Sequence, residues 1–202
     1  MDDQMPMAGT GLGAWREHGN EGFENTRRWL WIGLIVAASI ASSLVFACAT
    51  PLAALATVAA VTMDRRGALR LVAVAWLANQ VVGYAVLGYP RTLESYAWGV
   101  ALGAGALVAL AAARLIAGVL SATGELVRVL IVFGVAFVVY ESALLAAALV
   151  LRTGTEAFSS PIVLRILEVN TVALVGLLTL HWLGTLVGLA RPRRIAVRPA
   201  TM

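Results

Sequence analysis

Apolar residues along this chain fall into six long runs that are separated by short polar breaks. The runs cover residues 29–48, 51–63, 69–89, 96–113, 126–151 and 161–190. A helix that crosses a bilayer needs about 20 mostly apolar residues, and a helix satisfies its own backbone in lipid. The pattern therefore predicts an all-α polytopic membrane protein, a bundle of six transmembrane helices, which we number as the first to sixth predicted spans.

The breaks between the runs carry residues that begin or end helices. Proline tolerates only the first turn of a helix and threonine is a good N-cap, so Thr50-Pro51 separates the first span from the second. The second span is short, and it crosses either a thinned region of the bilayer or only part of it. The fourth span could extend past Arg114 towards Leu120, and residues 121–124 predict a turn.

The orientation is predicted from the arginines, which account for all 15 of the Lys+Arg residues. Basic residues are enriched on the cytoplasmic side of membrane proteins. With the N-terminus in the cytoplasm, 12 of the 15 arginines lie inside, and the other three are Arg91, Arg152 and Arg165. This split supports an even number of spans with both ends of the chain in the cytoplasm, the N-in/C-in arrangement.

The composition excludes a soluble enzyme and a disordered chain. The chain is 60% hydrophobic and 13% charged, with a mean hydropathy of +0.86. The net charge of +4 comes from arginines that flank apolar runs. The predicted partner is therefore membrane lipid, and no nucleic-acid binding is expected. We expect a disordered cytoplasmic tail at residues 1–26, the bundle at 27–190 and a basic cytoplasmic tail at 191–202. The predicted location is the bacterial cytoplasmic (inner) membrane.

Few residues can support metal, cofactor or redox chemistry. Two histidines and the single Cys48 form no ligand cluster, and no phosphate-binding loop or nucleophile elbow occurs. We therefore predict no metal, no cofactor and no catalytic residue, and Cys48 alone excludes an internal disulfide. Residues 45–48 loosely resemble a lipoprotein cleavage box, although Phe46 departs from it; apolar packing of Cys48 is the alternative.

Polar residues at membrane depth are the candidate substrate-binding residues, because an ionisable group there costs about 2.5–3.5 kcal/mol and its presence indicates function. Arg165 and Glu168 are three residues apart and can pair on one helical face. The carboxylates of Glu141 and Glu168 outnumber the single guanidinium of Arg165, which gives a net charge of −1 if all three ionise. This net negative charge favours a cationic or amine-bearing ligand, or a proton. Hydrogen bonding alone is the other possible role of Glu141. The candidates are Asn79, Tyr140, Glu141, Arg165, Glu168 and Asn170.

Small residues mark helix–helix contacts, since they let two backbones approach closely. Gly99 and Gly103, at four-residue spacing, predict packing inside the bundle. The first span carries Gly33, Ala37 and Ala41 on one face, together with more small residues than one neighbouring helix requires. We predict that this face binds another protein.

The topology resembles the substrate-capture (S) components of energy-coupling-factor vitamin transporters. The likeness rests on the face of Gly33, Ala37 and Ala41, on the break at residues 49–51, and on the layout of residues 51–69. Neither a ligand-specific motif nor a long external loop accompanies it. The resemblance implies a vitamin-like or chelated-metal ligand near the outer face, and coupling and ATPase subunits that dock through the first span.

Three functions are compatible with these features. In the first, the chain captures a vitamin-like, amine-bearing or chelated-metal solute for transport. In the second, it is a non-catalytic scaffold or assembly subunit whose small-residue faces matter more than any pocket. In the third, it is an intramembrane enzyme that uses Glu141 or His181, but no second catalytic group lies at a suitable spacing. The third ranks last, so a non-enzymatic function is favoured.

Overall fold

The computed structural model describes residues 51–186, together with residues 26, 29, 30, 32–34 and 36, which are helical. Two short 3₁₀ turns, Leu120–Ala122 and Thr155–Phe158, lie between long helices. The described part contains no strand, so the predicted all-α class is confirmed there. The helices of residues 51–186 are α1 (Leu52–Thr62), α2 (Arg65–Ala85), α3 (Leu93–Val119), α4 (Glu125–Leu151) and α5 (Ser160–Leu186).

Four of these helices, α2 to α5, are long and apolar enough to cross a membrane, and they indicate a multi-pass membrane protein. α1 is different, because it has only 11 residues. At 1.5 Å per residue it is about 16 Å long, roughly half of a 30 Å hydrocarbon layer. α1 is therefore shorter than an ordinary hydrocarbon layer, which is compatible with both alternatives for the second predicted span, a thinned region of the bilayer or a partial crossing.

α1 occupies the centre of the bundle and contacts each of the four long helices. Every residue from Leu52 to Ala60 is at most 1% exposed. A helix that is apolar on all faces has to be surrounded, and the sequence of α1 has no polar face. Its one internal polar residue, Thr57, donates its hydroxyl to the Ala53 carbonyl at 2.9 Å. The core of residues 51–186 is thus a short helix that packs against four long ones.

α2 begins and ends four residues earlier than the third predicted span, which was placed at 69–89. The Asp64 carboxylate accepts the backbone N–H of Arg66 at 3.3 Å and caps the N-terminus of α2. The charged stretch after Asp64, which hydropathy predicts as a turn, is therefore the first turn of the helix. Beyond the other end, Gly88 has a φ of 67°, a left-handed conformation that favours glycine.

α3 extends beyond the fourth predicted span, 96–113, at both ends. The Thr92 hydroxyl accepts the backbone N–H of Ser95 at 3.2 Å, and the helix begins directly after this cap. α3 continues through Arg114 to Val119, which confirms the longer of the two predicted ends. The turn predicted at 121–124 is also confirmed, and α4 and α5 begin within one residue of their predicted starts.

Gly99 and Gly103 of α3 make room for two side chains of α2. A Cβ atom at Gly99 would lie 2.5 Å from Gln80 Oε1, and one at Gly103 would lie 2.7 Å from Trp76 Cε2. The indole Nε1 of Trp76 donates to the Gly99 carbonyl at 2.8 Å. The predicted role of these two glycines, close packing inside the bundle, is therefore confirmed.

Candidate functional site

The Asn170 side chain lies at the N-terminus of α1, deep inside the bundle, and is 0% exposed. Ala54 donates its backbone N–H to Asn170 Oδ1 at 3.1 Å, and Asn170 Nδ2 donates to the Ile166 carbonyl at 3.0 Å. The first N–H groups of a helix have no partner within that helix. Asn170 therefore caps α1 from a neighbouring helix, and both ends of its amide are engaged within the protein.

Arg114 of α3 lies at the opposite end of α1. Its Nη1 atom donates to the Met63 carbonyl at 3.2 Å, and Met63 is the C-cap residue of α1. A cation beside the last carbonyls of a helix is favourable. The hydrophobic pattern alone does not predict this contact. The signal that could have revealed it was an arginine that interrupts an otherwise apolar run.

Tyr140 and Glu141 are neighbours on α4 but lie in different surroundings. Tyr140 is 3% exposed, and its ring packs against Gly105 of α3, where a Cβ would lie 3.4 Å from the ring. Glu141 is half-buried. Its Oε1 atom is buried and has no hydrogen-bond partner among the residues that the structure describes. Of the six predicted ligand residues, Glu141 is therefore the one with an unused, buried carboxylate oxygen.

Asn79 and Gln80 lie side by side on α2, and adjacent residues of a helix point about 100° apart. Gln80 lies against Gly99 of α3, and its Nε2 atom is buried without a hydrogen-bond partner in the described part of the chain. Asn79 is half-buried and takes part in an interaction within the protein. The α2–α3 contact thus involves Gln80, which the prediction left out of the candidate ligands.

Arg165 and Glu168 form the predicted ion pair on α5, with 3.8 Å between Nη1 and Oε2. Their side chains are 71% and 70% exposed, so the pair points away from the bundle. Asn170, two residues further on, lies on the buried side of the same helix. These three predicted ligand residues therefore do not line one common cavity.

The six predicted residues divide into three groups. Tyr140 and Asn170 are buried in contacts between helices, Arg165 and Glu168 point outwards, and Asn79 and Glu141 are half-buried. Within the described residues, no three side chains of His, Cys, Asp or Glu come together as a metal site would require.

The predicted protein-binding face of the first span is described at one of its three positions. Gly33 is exposed, and a Cβ there would meet nothing within 4 Å. Ile32 and Val36 of the same segment are buried in the core. Ala37 and Ala41 lie outside the described residues, and the predicted binding role of this face stays a prediction.

Comparison with known proteins adds no family to this picture. No family model, curated protein or solved structure matches the chain. The function therefore has to be inferred from the geometry of the helices and their side chains.

Proposed function

We propose that this chain is a non-catalytic subunit of a larger membrane assembly and that the outer face of α5 binds the partner. The observation that supports this is the exposed Arg165–Glu168 pair on a helix of membrane-spanning length. α5 has 27 residues and is about 40 Å long, so a centred 30 Å hydrocarbon layer would cover roughly residues 163–183. Glu168 then lies about 7 Å inside this layer.

A charged pair that faces lipid at this depth is unfavourable. The long side chain of Arg165 can reach the headgroups, whereas the shorter Glu168 keeps its carboxylate closer to the helix. Pairing reduces the cost, but a single 3.8 Å contact leaves most of the hydrogen-bonding capacity of both groups unused. A protein partner with polar groups at the same depth would supply the missing contacts.

The remaining features of α5 agree with a binding surface. Val172 and Val175, further along the helix, are 57% and 61% exposed, so apolar area flanks the charged pair. Asn170 uses its amide to cap α1, and its hydrogen bonds lie within the bundle. The arginine distribution supports the N-in/C-in orientation, and the bacterial cytoplasmic membrane stays the proposed location.

Native mass spectrometry of the tagged protein, gently extracted from its host membrane, tests this proposal. We expect the wild-type chain to be recovered within a larger assembly. The informative variant exchanges the two charges, Arg165→Glu with Glu168→Arg, which keeps a pair within the helix but reverses the charge pattern that a partner meets. This exchange should release the partner.

The matched control exchanges Arg91 and Glu94, which are also three residues apart and exposed. Arg91→Glu with Glu94→Arg should leave the assembly intact. The proposal fails if the exchange at Arg165 and Glu168 leaves the recovered mass unchanged. It also fails if the wild-type protein carries nothing but lipid.

A second candidate function is substrate capture for transport, and Glu141 favours it. Its buried Oε1, without a hydrogen-bond partner among the described residues, could receive a cationic or amine-bearing solute. The resemblance to S components would add coupling and ATPase partners at the first span and a vitamin-like or chelated-metal cargo. Under this function, a small molecule should co-purify with the wild type and be lost from Glu141→Gln.

The control for this second test is Glu125→Gln, an exposed glutamate at the start of the same helix. It should retain the small molecule. Retention by Glu141→Gln, or the absence of any bound molecule from the wild type, would count against capture at this site.

A further inference from the structure

A shallow groove of about 290 Å³ runs between α2 and α3 on the outside of the bundle. Its walls are apolar, and the one polar atom of its tryptophan, Nε1, already donates to the Gly99 carbonyl. The groove exists because Gly103 and Ala104 add little bulk opposite Trp76. The lining residues are Val72, Ala73, Trp76, Val100, Gly103, Ala104 and Leu107.

The size of the groove limits what can occupy it. The α3 wall from Val100 to Leu107 is about 10 Å long at 1.5 Å per residue. A volume of about 290 Å³ lies at the lower end of the range of small-ligand sites, about 300–1,000 Å³. With apolar walls along its length, the groove fits a single hydrocarbon chain.

Two arginines of α2 lie on the N-terminal side of the groove, on the helical face that carries Ala73. Arg66, Arg70 and Ala73 are spaced four and three residues apart, which is the spacing of neighbours along one helical face. Both arginines are exposed. Within residues 51–186, neither guanidinium forms a salt bridge with a carboxylate. Arg70 lies about 4–5 Å and Arg66 about 10 Å along the helix axis from Ala73, within reach of one lipid headgroup.

We propose that an anionic phospholipid binds here, with one acyl chain in the groove and its phosphate between Arg66 and Arg70. Charge complementarity selects the headgroup, because two guanidinium groups that form no salt bridge within residues 51–186 favour a lipid with net negative charge over a zwitterionic one. The apolar walls of the groove favour the acyl chain of the lipid over any polar group. This lipid site does not depend on whether the protein is a scaffold or a capture component.

Native mass spectrometry in detergent with an equimolar mixture of phosphatidylglycerol and phosphatidylcholine tests the proposal. The wild-type protein should retain one phosphatidylglycerol with a preference on the order of tenfold over phosphatidylcholine. The double variant Arg66→Gln with Arg70→Gln should bring this preference close to one. Arg91→Gln, an exposed arginine outside the groove, should leave it unchanged.

A second pair of variants tests the groove itself. Ala104→Phe should fill the groove and abolish retention of both lipids, whereas Ala146→Phe, at an exposed alanine of α4, should retain them. The proposal is overturned if the wild type shows no preference for phosphatidylglycerol. It is also overturned if either the double arginine variant or Ala104→Phe binds lipid as the wild type does.

Discussion

Replacement of Asn170 by leucine separates its capping role from the ligand-binding role that the sequence predicts. Leucine has the same branched arrangement of four side-chain heavy atoms but offers no acceptor to the Ala54 N–H, which now lies 3.1 Å from Asn170 Oδ1. The N-terminus of α1 is buried, with Leu52, Ala53 and Ala54 all at 0% exposure. Water therefore cannot replace the lost acceptor, and the variant should destabilise the whole bundle.

The expected size of this effect comes from two measured ranges. A buried donor without a partner costs about 1–3 kcal/mol. Hydrogen bonds between membrane helices are worth less, on average about 0.6 and at most about 1.7 kcal/mol, because the unfolded chain in the membrane also finds partners. Since Asn170 also donates to the Ile166 carbonyl at 3.0 Å, we expect a loss of about 1–2 kcal/mol, a factor of roughly 5–30 in the unfolding equilibrium.

Unfolding of the purified protein in mixed micelles, with increasing sodium dodecyl sulfate and followed by circular dichroism, measures this loss. Thr171→Val is the matched control, because Thr171 is exposed and donates its hydroxyl only to the Leu167 carbonyl of its own helix. It should change stability by less than about 0.5 kcal/mol. If Asn170→Leu and Thr171→Val unfold at the same sodium dodecyl sulfate content, the cap contributes no stability and the reasoning is refuted.

Two further pairs of variants test the close contacts of glycines in the same unfolding assay. Gly103→Ala places a Cβ 2.7 Å from the Trp76 ring and should cost about 1–3 kcal/mol. Gly134→Ala, with nothing within 4 Å, should be neutral or stabilise the helix by up to about 1 kcal/mol. Equal midpoints for these two variants would contradict the packing of α2 on α3. Gly154→Ala combines a φ of 76° with a contact 2.8 Å from Trp98 and should cost at least about 1 kcal/mol, unlike Gly124→Ala, which meets open space. A loop tolerant of both changes would show that Trp98 does not fix this connection.

Hydropathy alone predicted the long helices, because apolar stretches of this length are typical only of membrane-spanning helices. It misplaced the starts of α2 and α3, since the capping residues Asp64 and Thr92 precede first turns that are partly polar or charged. These starts could have been found from the N-cap preference of aspartate and threonine. The hydrophobic pattern measures the apolar part of a helix, and the helix itself extends further.

The central position of α1 could not be predicted in the same way. A helix that is apolar on all faces is compatible with lipid around it and with protein around it, and only its length hinted at the difference. The role of Asn170 could not be predicted either, because the sequence around an asparagine at membrane depth does not distinguish a ligand-binding residue from a helix cap. Its partner Ala54 lies 116 residues away, beyond any rule of local spacing.

That separation also sets an order for the biogenesis of the protein. At about 5–20 residues per second, the ribosome needs roughly 6 to 23 s to proceed from Ala54 to Asn170. During this time α1 has left the ribosome without its cap and is too short to span the bilayer by itself. The capped position of α1 can therefore form only after α5 has been synthesised. A stop codon before position 170 removes Asn170 from the C-terminal part of the chain. The resulting defect, an uncapped α1, lies in the N-terminal half.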